Sequence, residues 1–208
     1  MKARSGGGSA ANTVYAISQF GGSAFYSCRV ANDENGDFFL RQLGDHNIQT
    51  NKNNQRVEGV SGRCIVMVTP DAERTMHTYL GVSASISISE MDFEAASNCE
   101  YMYLEGYLVT SDTARSAIIE MKDFAKSNGI KTALTFSDPS MLEYFKDNVN
   151  EVLGDGVDLL FCNLQEARLW SGEVNMDRIV DSLKTVAKQF AVTTGADGSL
   201  LWDGEQLL

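Results

Sequence analysis

KTALTFSDPSMLEYFKDNVNEVLGDGVDLLFC, residues 131–162, is the stretch whose reading decides the fold. Lys131 to Phe136 is an apolar run of strand length. Pro139 then stands where proline is favoured, at a helix start, and the helical pattern continues to about Val152. Val157 to Cys162 (VDLLFC) is a second strand, apolar enough to be buried on both faces. A strand, a helix and a strand of these lengths make a parallel pair joined by a crossover helix.

The same rhythm extends both ways. Downstream lie two helices, Leu164 to Trp170 and Met176 to Ala187, then a strand from Phe190 to Thr193. The turn Ala196-Asp197-Gly198 leads into a last strand, Ser199 to Trp202. Upstream, Tyr101 to Leu104 is a strand. Ser111 or Asp112 caps a helix that lines up Ala114, Ala117, Ile118, Met121, Phe124 and Ala125, and Gly129 stops it. Alternating strands and helices predict an α/β fold, a mostly parallel sheet with helices on both faces.

One segment breaks the rhythm. Arg63 to Thr69 and Arg74 to Leu80 read as two strands around the turn Pro70-Asp71-Ala72-Glu73. Such a hairpin is either a lid, spanning about residues 56–82, or a plain edge hairpin. Ser83 to Ser89 reads as irregular.

Further upstream, Ser5-Gly6-Gly7-Gly8-Ser9-Ala10-Ala11-Asn12-Thr13 is a glycine-rich loop running into a helix, Ala10 to Phe20. Ser9 is the expected N-cap, and Ala11, Val14, Tyr15, Ile17 and Ser18 bracket one face. Gly21-Gly22 ends the helix. A strand from Ala24 to Val30, a turn from Asn32 to Gly36 and a helix from Asp37 to Leu43 follow. The loop is either a leader before a capped helix or a ligand cradle. Glycines permit close backbone approach, and a helix start offers N–H groups to hydroxyls or anions.

Composition narrows the partners. The net charge of −11 argues against nucleic acid or an anionic membrane surface. No apolar run approaches a membrane span, and no signal peptide is visible. Cys28, Cys64, Cys99 and Cys162 lie in or beside apolar runs without Cys-x-x-Cys spacing, so buried free thiols in a reducing cytoplasm are expected. His46 and His77 are isolated and show no ligand spacing, which argues against a structural zinc site. In all, 208 residues with 43% hydrophobic content suit one domain with a real core.

Three polar features follow strands, where open α/β sheets bind ligands. Glu105 ends the Tyr-Met-Tyr-Leu strand, either as an acceptor of substrate hydroxyls or as a solvated loop acid. Asn163 and Glu166 share one face of a helix start. They form a capping box or hold the water shell of a Mg²⁺ ion beside phosphates. Thr193-Thr194-Gly195-Ala196-Asp197-Gly198 is a hairpin turn or a phosphate cradle. No Gly-Lys-Ser/Thr P-loop is present. Gly6-x-Gly8-x-x-Ala11, with Asp33 downstream, fits a loose dinucleotide fingerprint, but Met1-Lys2-Ala3-Arg4 is too short and polar for the strand it needs.

In this order, the Gly-Gly-x-x-x-Asn loop, the hairpin, Asn-x-x-Glu and Thr-x-Gly-x-x-Gly resemble the ribokinase-like (PfkB-type) family of sugar and nucleoside kinases. Thr69 to Gly81 and Tyr103 to Leu108 resemble its adenosine kinase-like branch. The resemblance implies a three-layer α/β/α sandwich with a small β lid, which in this family is a free flap or the clasp of a homodimer. It implies that Gly7, Gly8, Asn12 and Glu105 contact a sugar or nucleoside. Asn163 and Glu166 would serve Mg²⁺, and Thr193, Gly195 and Gly198 would line the phosphates of ATP. The family's first strand and its Asp-Thr-x-Gly-Ala-Gly-Asp motif, which carries the catalytic base, do not match any segment here. The chain therefore reads as part of a longer kinase, with the base expected beyond Leu208 and little turnover of its own. A nicotinamide-dependent oxidoreductase and a non-catalytic sugar-binding pseudokinase are the competing readings.

Overall fold

In the computed structural model, which describes residues 4–51 and 56–208, the chain divides into two compact units, Met1–Asp92 and Phe93–Leu208. Of the segment read as too short for a strand, residues 1–3 lie outside the described residues.

In the first unit, helix α1 spans Ser9–Gln19, one residue ahead of the expected start. The cap is Gly8, not Ser9, because the chain turns into the helix at φ +117, a conformation that glycine alone adopts without strain. Ala11 and Val14 are buried, whereas Tyr15 and Ile17 of the expected apolar face remain exposed. The Ala24 to Val30 strand shrinks to β1, Phe25–Tyr26, paired in parallel with β2, Gln49–Thr50. Between them helix α2, Glu34–Asp45, begins three residues before the expected Asp37. Asp33 draws the start back by accepting the Gly36 N–H at 2.8 Å. Val14, Leu43 and Ile48 form the small core of this unit.

The hairpin forms as expected. β3, Arg63–Val68, pairs antiparallel with β4, Arg74–Tyr79, from Arg63↔Tyr79 to Val68↔Arg74, as a two-stranded sheet of its own. Every residue of both strands is exposed. At its root the Val82 N–H donates to the Val60 carbonyl at 2.9 Å. Gly81 sits at φ +55, where an added Cβ would meet that carbonyl at 2.1 Å. Beyond it, the segment expected to be irregular forms two 3-10 turns, Gly81–Ser85 and Ile88–Glu90, the second bound by Arg29 Nη1 to Glu90 at 2.6 Å.

The second unit opens on α3, Phe93–Ser97, and contains a five-stranded sheet in chain order. Its strands are β5 (Tyr101–Glu105), β6 (Lys131–Thr135), β7 (Val157–Asn163), β8 (Ala187–Thr193) and β9 (Ser199–Trp202). The first four are parallel and β9 is antiparallel. Leu104, Leu134, Leu160 and Phe190 stand in one register row across four strands, all buried. Helices α4 (Asp112–Ser127), α5 (Pro139–Tyr144), α6 (Lys146–Leu153), α7 (Leu164–Ser171) and α8 (Met176–Lys184) supply Ile118, Leu142, Val149, Ala167 and Leu183 to the same core.

Two expected helices differ from the reading. The single helix from Pro139 to Val152 is broken at Phe145, which leaves helical geometry at φ −130 and packs against the core. The helix from Met176 stops at Lys184 instead of Ala187, because Ala187 is the first residue of β8 and pairs with Val157. None of the four cysteines forms a disulfide, as expected. Cys28 and Cys162 are buried, and burial, reinforced by Glu90 and Glu166 respectively, pushes each thiol up to about 12. Cys64, on the exposed hairpin, and half-buried Cys99 depart from the expected burial.

Candidate functional site

Four parallel strands end on one edge of the second unit, so the residues after them form a row. Neighbouring strands lie roughly 4.8 Å apart. At one end of the row is Glu105, the last residue of β5 and only 7% exposed. Its Oε2 accepts the Ser137 hydroxyl at 2.9 Å, and its Oε1 is buried without a partner. A solvated loop acid would not look like this. Tyr107 follows in a 3-10 turn, Gly106–Thr110, with its phenol pushed up by burial and by the charges of Asp138, Glu105 and Glu166. Gly106 is obligatory here, since a Cβ would lie 2.5 Å from the Phe136 carbonyl.

After β6 the chain makes a tight reversal. The Asp138 N–H donates to the Phe136 carbonyl at 2.8 Å, with Ser137 between them at φ +70. This is a γ-turn of the positive-φ kind, which is rare and strained and costs of order 1–3 kcal/mol. Asp138 then caps α5 by accepting the Ser140 N–H at 2.9 Å. Tyr107, Ser137 and Asp138 were not singled out by the sequence. Asp-Pro signals only a helix start there, and nothing local tells that this start faces Glu105.

After β7, Asn163 and Glu166 form the capping box in full. The Asn163 N–H donates to Glu166 Oε2 at 3.0 Å, the Glu166 N–H donates to Asn163 Oδ1 at 2.8 Å, and the Asn163 amide donates to Glu166 Oε1 at 2.7 Å. Glu166 is only 3% exposed, and burial raises its pKa, helped by the charge of Asp138 and opposed by the Asn163 N–H. Among the described residues no group of three or more His, Cys, Asp or Glu side chains is arranged to hold a metal ion. Each carboxylate oxygen of Glu166 keeps acceptor capacity. The pair therefore fits the water shell of a cation that arrives with phosphates, not a cage of direct protein ligands.

After β8, Thr194 to Gly198 turn the chain into β9. The Thr194 N–H donates to the Gly198 carbonyl at 2.9 Å. Gly195 and Gly198 adopt φ +67 and +98, with open space where side chains would project. As the first residues of the 3-10 turn Gly195–Asp197, Gly195 and Ala196 have no acceptor within it for their N–H groups. The segment is a hairpin turn, and it presents N–H groups beside the exposed Thr193.

The glycine loop belongs to the first unit. A cavity of about 270 Å³ is lined by Gly6, Gly7, Asn12, Tyr15, Gln42 and His46, among others, so Gly7 and Asn12 meet there while Gly8 serves as the helix cap. The Gly6 N–H donates to the Gln42 side chain. Nothing lies within 4 Å of a Cβ at Gly7, so space alone does not demand a glycine there. The acid of the dinucleotide fingerprint is otherwise engaged. Asp33 accepts the Gly36 N–H, the Ser61 N–H at 2.9 Å and the Ser61 hydroxyl at 2.6 Å. Burial pushes its pKa up, but these hydrogen bonds and the Arg56 charge together hold it below the ordinary value. Among the described residues, none ahead of the loop forms a strand. No helix among them is long and apolar enough to cross a membrane.

Comparison with known proteins bears on the family and the fold. Residues 3–208 match the pfkB family carbohydrate kinase pattern. An adenosine kinase from Schizophyllum commune is 29% identical over 136 residues, 64% of this chain and 38% of its own length. The crystal structure of adenosine kinase from Sinorhizobium meliloti is similar at TM-score 0.89 and 30% identity, over 97% of this chain and 62% of that one. A probable sugar kinase from Rhizobium etli CFN 42 gives TM-score 0.89 at 26% identity, again over 62% of its length. The chain spans less than two thirds of each of these relatives. The sequence motifs, the α/β fold and the match along nearly the whole chain lead to one assignment: the chain belongs to the pfkB family of carbohydrate kinases, with a ribokinase-like fold.

Proposed function

We propose that this chain serves ATP-dependent phosphorylation of a hydroxymethyl group on a sugar or nucleoside, adenosine or a monosaccharide. The observation that carries the reading is the buried, half-satisfied carboxylate of Glu105, on the same sheet edge as the Asn163–Glu166 pair and the Thr193 to Gly198 turn. Phosphoryl transfer depends on positioning and on neutralising charge more than on covalent chemistry by the protein. Glu105 Oε1 accepts a hydroxyl of the acceptor; in the first unit, the glycine loop with Gly7, Gly8 and Asn12 is by itself suited to sugar or nucleoside hydroxyls. The N–H groups of Gly195 and Ala196, with Thr193 and Gly198, hold phosphate oxygens. Asn163 and Glu166 orient the water shell of Mg²⁺, which neutralises phosphate charge when bound. We assign no residue here as the base that takes the hydroxyl proton. Free thiols suit a reducing compartment, and we place the protein in the cytoplasm.

Calorimetric titration with ATP, with and without Mg²⁺, tests the nucleotide half of this reading. Saturable binding strengthened by Mg²⁺, with that strengthening lost in Glu166→Gln, is the expected result. Binding indifferent to both Mg²⁺ and Glu166 overturns it.

A second reading concerns the hairpin. Ile65 and Met67 lie on one face, Val66, Val68 and Met76 on the other, and all five are at least half exposed or nearly so. Apolar residues on both faces suit a lid that covers a ligand or clasps a second copy of the chain.

A further inference from the structure

We propose that Ser137 is a positioning residue, held in its strained turn so that its hydroxyl aims the free oxygen of Glu105 at the acceptor. The proposal rests on the reading of Glu105 as an acceptor contact. Three observations meet at this point. Ser137 is one of few non-glycine residues with positive φ, at +70, where glycine would sit without strain. Its hydroxyl lies 2.9 Å from Glu105 Oε2 and 3.5 Å from the Thr135 carbonyl, so it donates to the carboxylate. The other carboxylate oxygen is buried with no partner, in a residue only 7% exposed. Buried acceptors without partners are rare in native folds, and each asks for an explanation.

The surroundings set the turn rather than the serine. Gly106 lets the Thr135 and Phe136 carbonyls approach where a Cβ would clash at 2.7 and 2.5 Å. The Ser137 N–H is anchored to Thr135 Oγ1 at 3.1 Å, and the Asp138 N–H closes the reversal. A glycine would complete the same backbone. What serine adds is one donor, placed to engage Oε2. A carboxylate fixed through one oxygen holds its other oxygen in place, and Oε1 stays buried and unpaired until a hydroxyl reaches it. The device therefore selects acceptors with a hydroxyl at that place, and it discriminates against analogues in which that hydroxyl is missing.

Two variants separate positioning from simple stabilisation. Ser137→Gly removes the hydroxyl and relaxes the turn. Ser137→Thr keeps a hydroxyl but places a β-branched residue at positive φ, which lowers stability. The full chain is titrated with adenosine, ribose and fructose, and with a deoxy analogue of whichever binds best, alongside melting temperatures. Ser137→Gly is expected to bind the acceptor about tenfold more weakly, to lose its preference over the deoxy analogue, and to melt no lower than the unsubstituted chain. Ser137→Thr is expected to melt lower and to keep both affinity and preference. Affinity that follows melting temperature across the two variants overturns the positioning role. Glu105→Gln separates the premise from the inference. If it leaves binding unchanged, or if none of the three acceptors binds, the premise fails and takes the inference with it. If Glu105→Gln weakens binding and Ser137→Gly does not, the inference alone fails.

Discussion

The hairpin β3–β4 and the sheet β5–β8 are written in nearly the same alphabet of valine, isoleucine, leucine, methionine and aromatics, yet they meet opposite fates. In the sheet, Leu134, Leu160 and Phe190 are essentially removed from water. In the hairpin, Ile65 is 66% and Val68 64% exposed. The difference lies in what each strand can pack against. A parallel strand must be followed by a crossover, and the crossover helices α4 to α8 fold back as a cover. An antiparallel hairpin closes through a short turn and brings no cover with it. Apolar side chains on such a hairpin are therefore held by nothing in the fold of the described residues. They are free for a ligand or a partner, and composition alone does not reveal this.

The largest expected effect opposes the two sheets directly. Leu160→Ala should destabilise the chain by about 3 to 5 kcal/mol, as a fully buried leucine does. Val66→Ala should fall within about 0.5 kcal/mol of the unsubstituted chain. Urea unfolding followed by far-ultraviolet circular dichroism, which reports on both units, reads both. A large loss in Val66→Ala would show that the hairpin is structural after all. Val66→Lys sharpens the point. It should leave the urea midpoint in place and convert any dimer to monomer in sedimentation, if the lid clasps a second copy.

A middle-sized effect concerns how the hairpin is rooted. Asp33→Ala removes the cap of α2 and both bonds to Ser61, and should cost about 1 to 3 kcal/mol. The pH dependence has a definite sign. Asp33 titrates below the ordinary 3.8, so its contribution is complete above that value and lost as pH falls through the lowered one. Amide exchange should show the Ser61 and Gly36 N–H groups losing protection in acid before the core of β6 and β7 does. Simultaneous loss would mean that the root and the sheet are not distinct.

The smallest effect lies at the sheet edge. Burial lifts Glu166 above the ordinary 4.5, so its ionisation opposes folding. Stability should fall slightly as pH climbs from the ordinary value through the raised one, and Glu166→Gln should remove that decline. The gap between the urea midpoints of the two proteins, followed from about pH 4 to about pH 7, measures it. A gap that stays constant over that range would mean that Glu166 ionises as readily in the folded chain as in the unfolded one. Glu166→Ala should cost about 1 kcal/mol more at every pH, since the Asn163 N–H loses its acceptor.

Much of this molecule was legible from its residues. The parallel strands, the hairpin, the caps at Ser111 and Asn163 and the Gly195 turn all rest on short-range rules, in which a residue acts on neighbours within a few positions. The misplaced boundaries have other causes. Ser9 lost the cap because Gly8 alone could take φ +117. The helix after Pro139 broke because Phe145 turned toward a core built by other elements. The helix from Met176 stopped early because Ala187 had a partner waiting in Val157. In the last two cases a partner distant in the chain outweighed local propensity.

The sequence by itself determined the class of fold, the family and the order of the polar features along the chain, because periodicity, glycine and proline placement and motif spacing are properties of neighbours in the chain. Only the tertiary structure decided which of those features are chemically incomplete. The capping box of Asn163 and Glu166 satisfies itself, and so does Asp33 through Ser61. Glu105 does not: residues 32 positions apart meet so that Ser137 engages one oxygen and leaves the other buried without a partner. No local pattern encodes that meeting, because it follows from two parallel strands ending side by side and from a turn strained into place by the backbone around it.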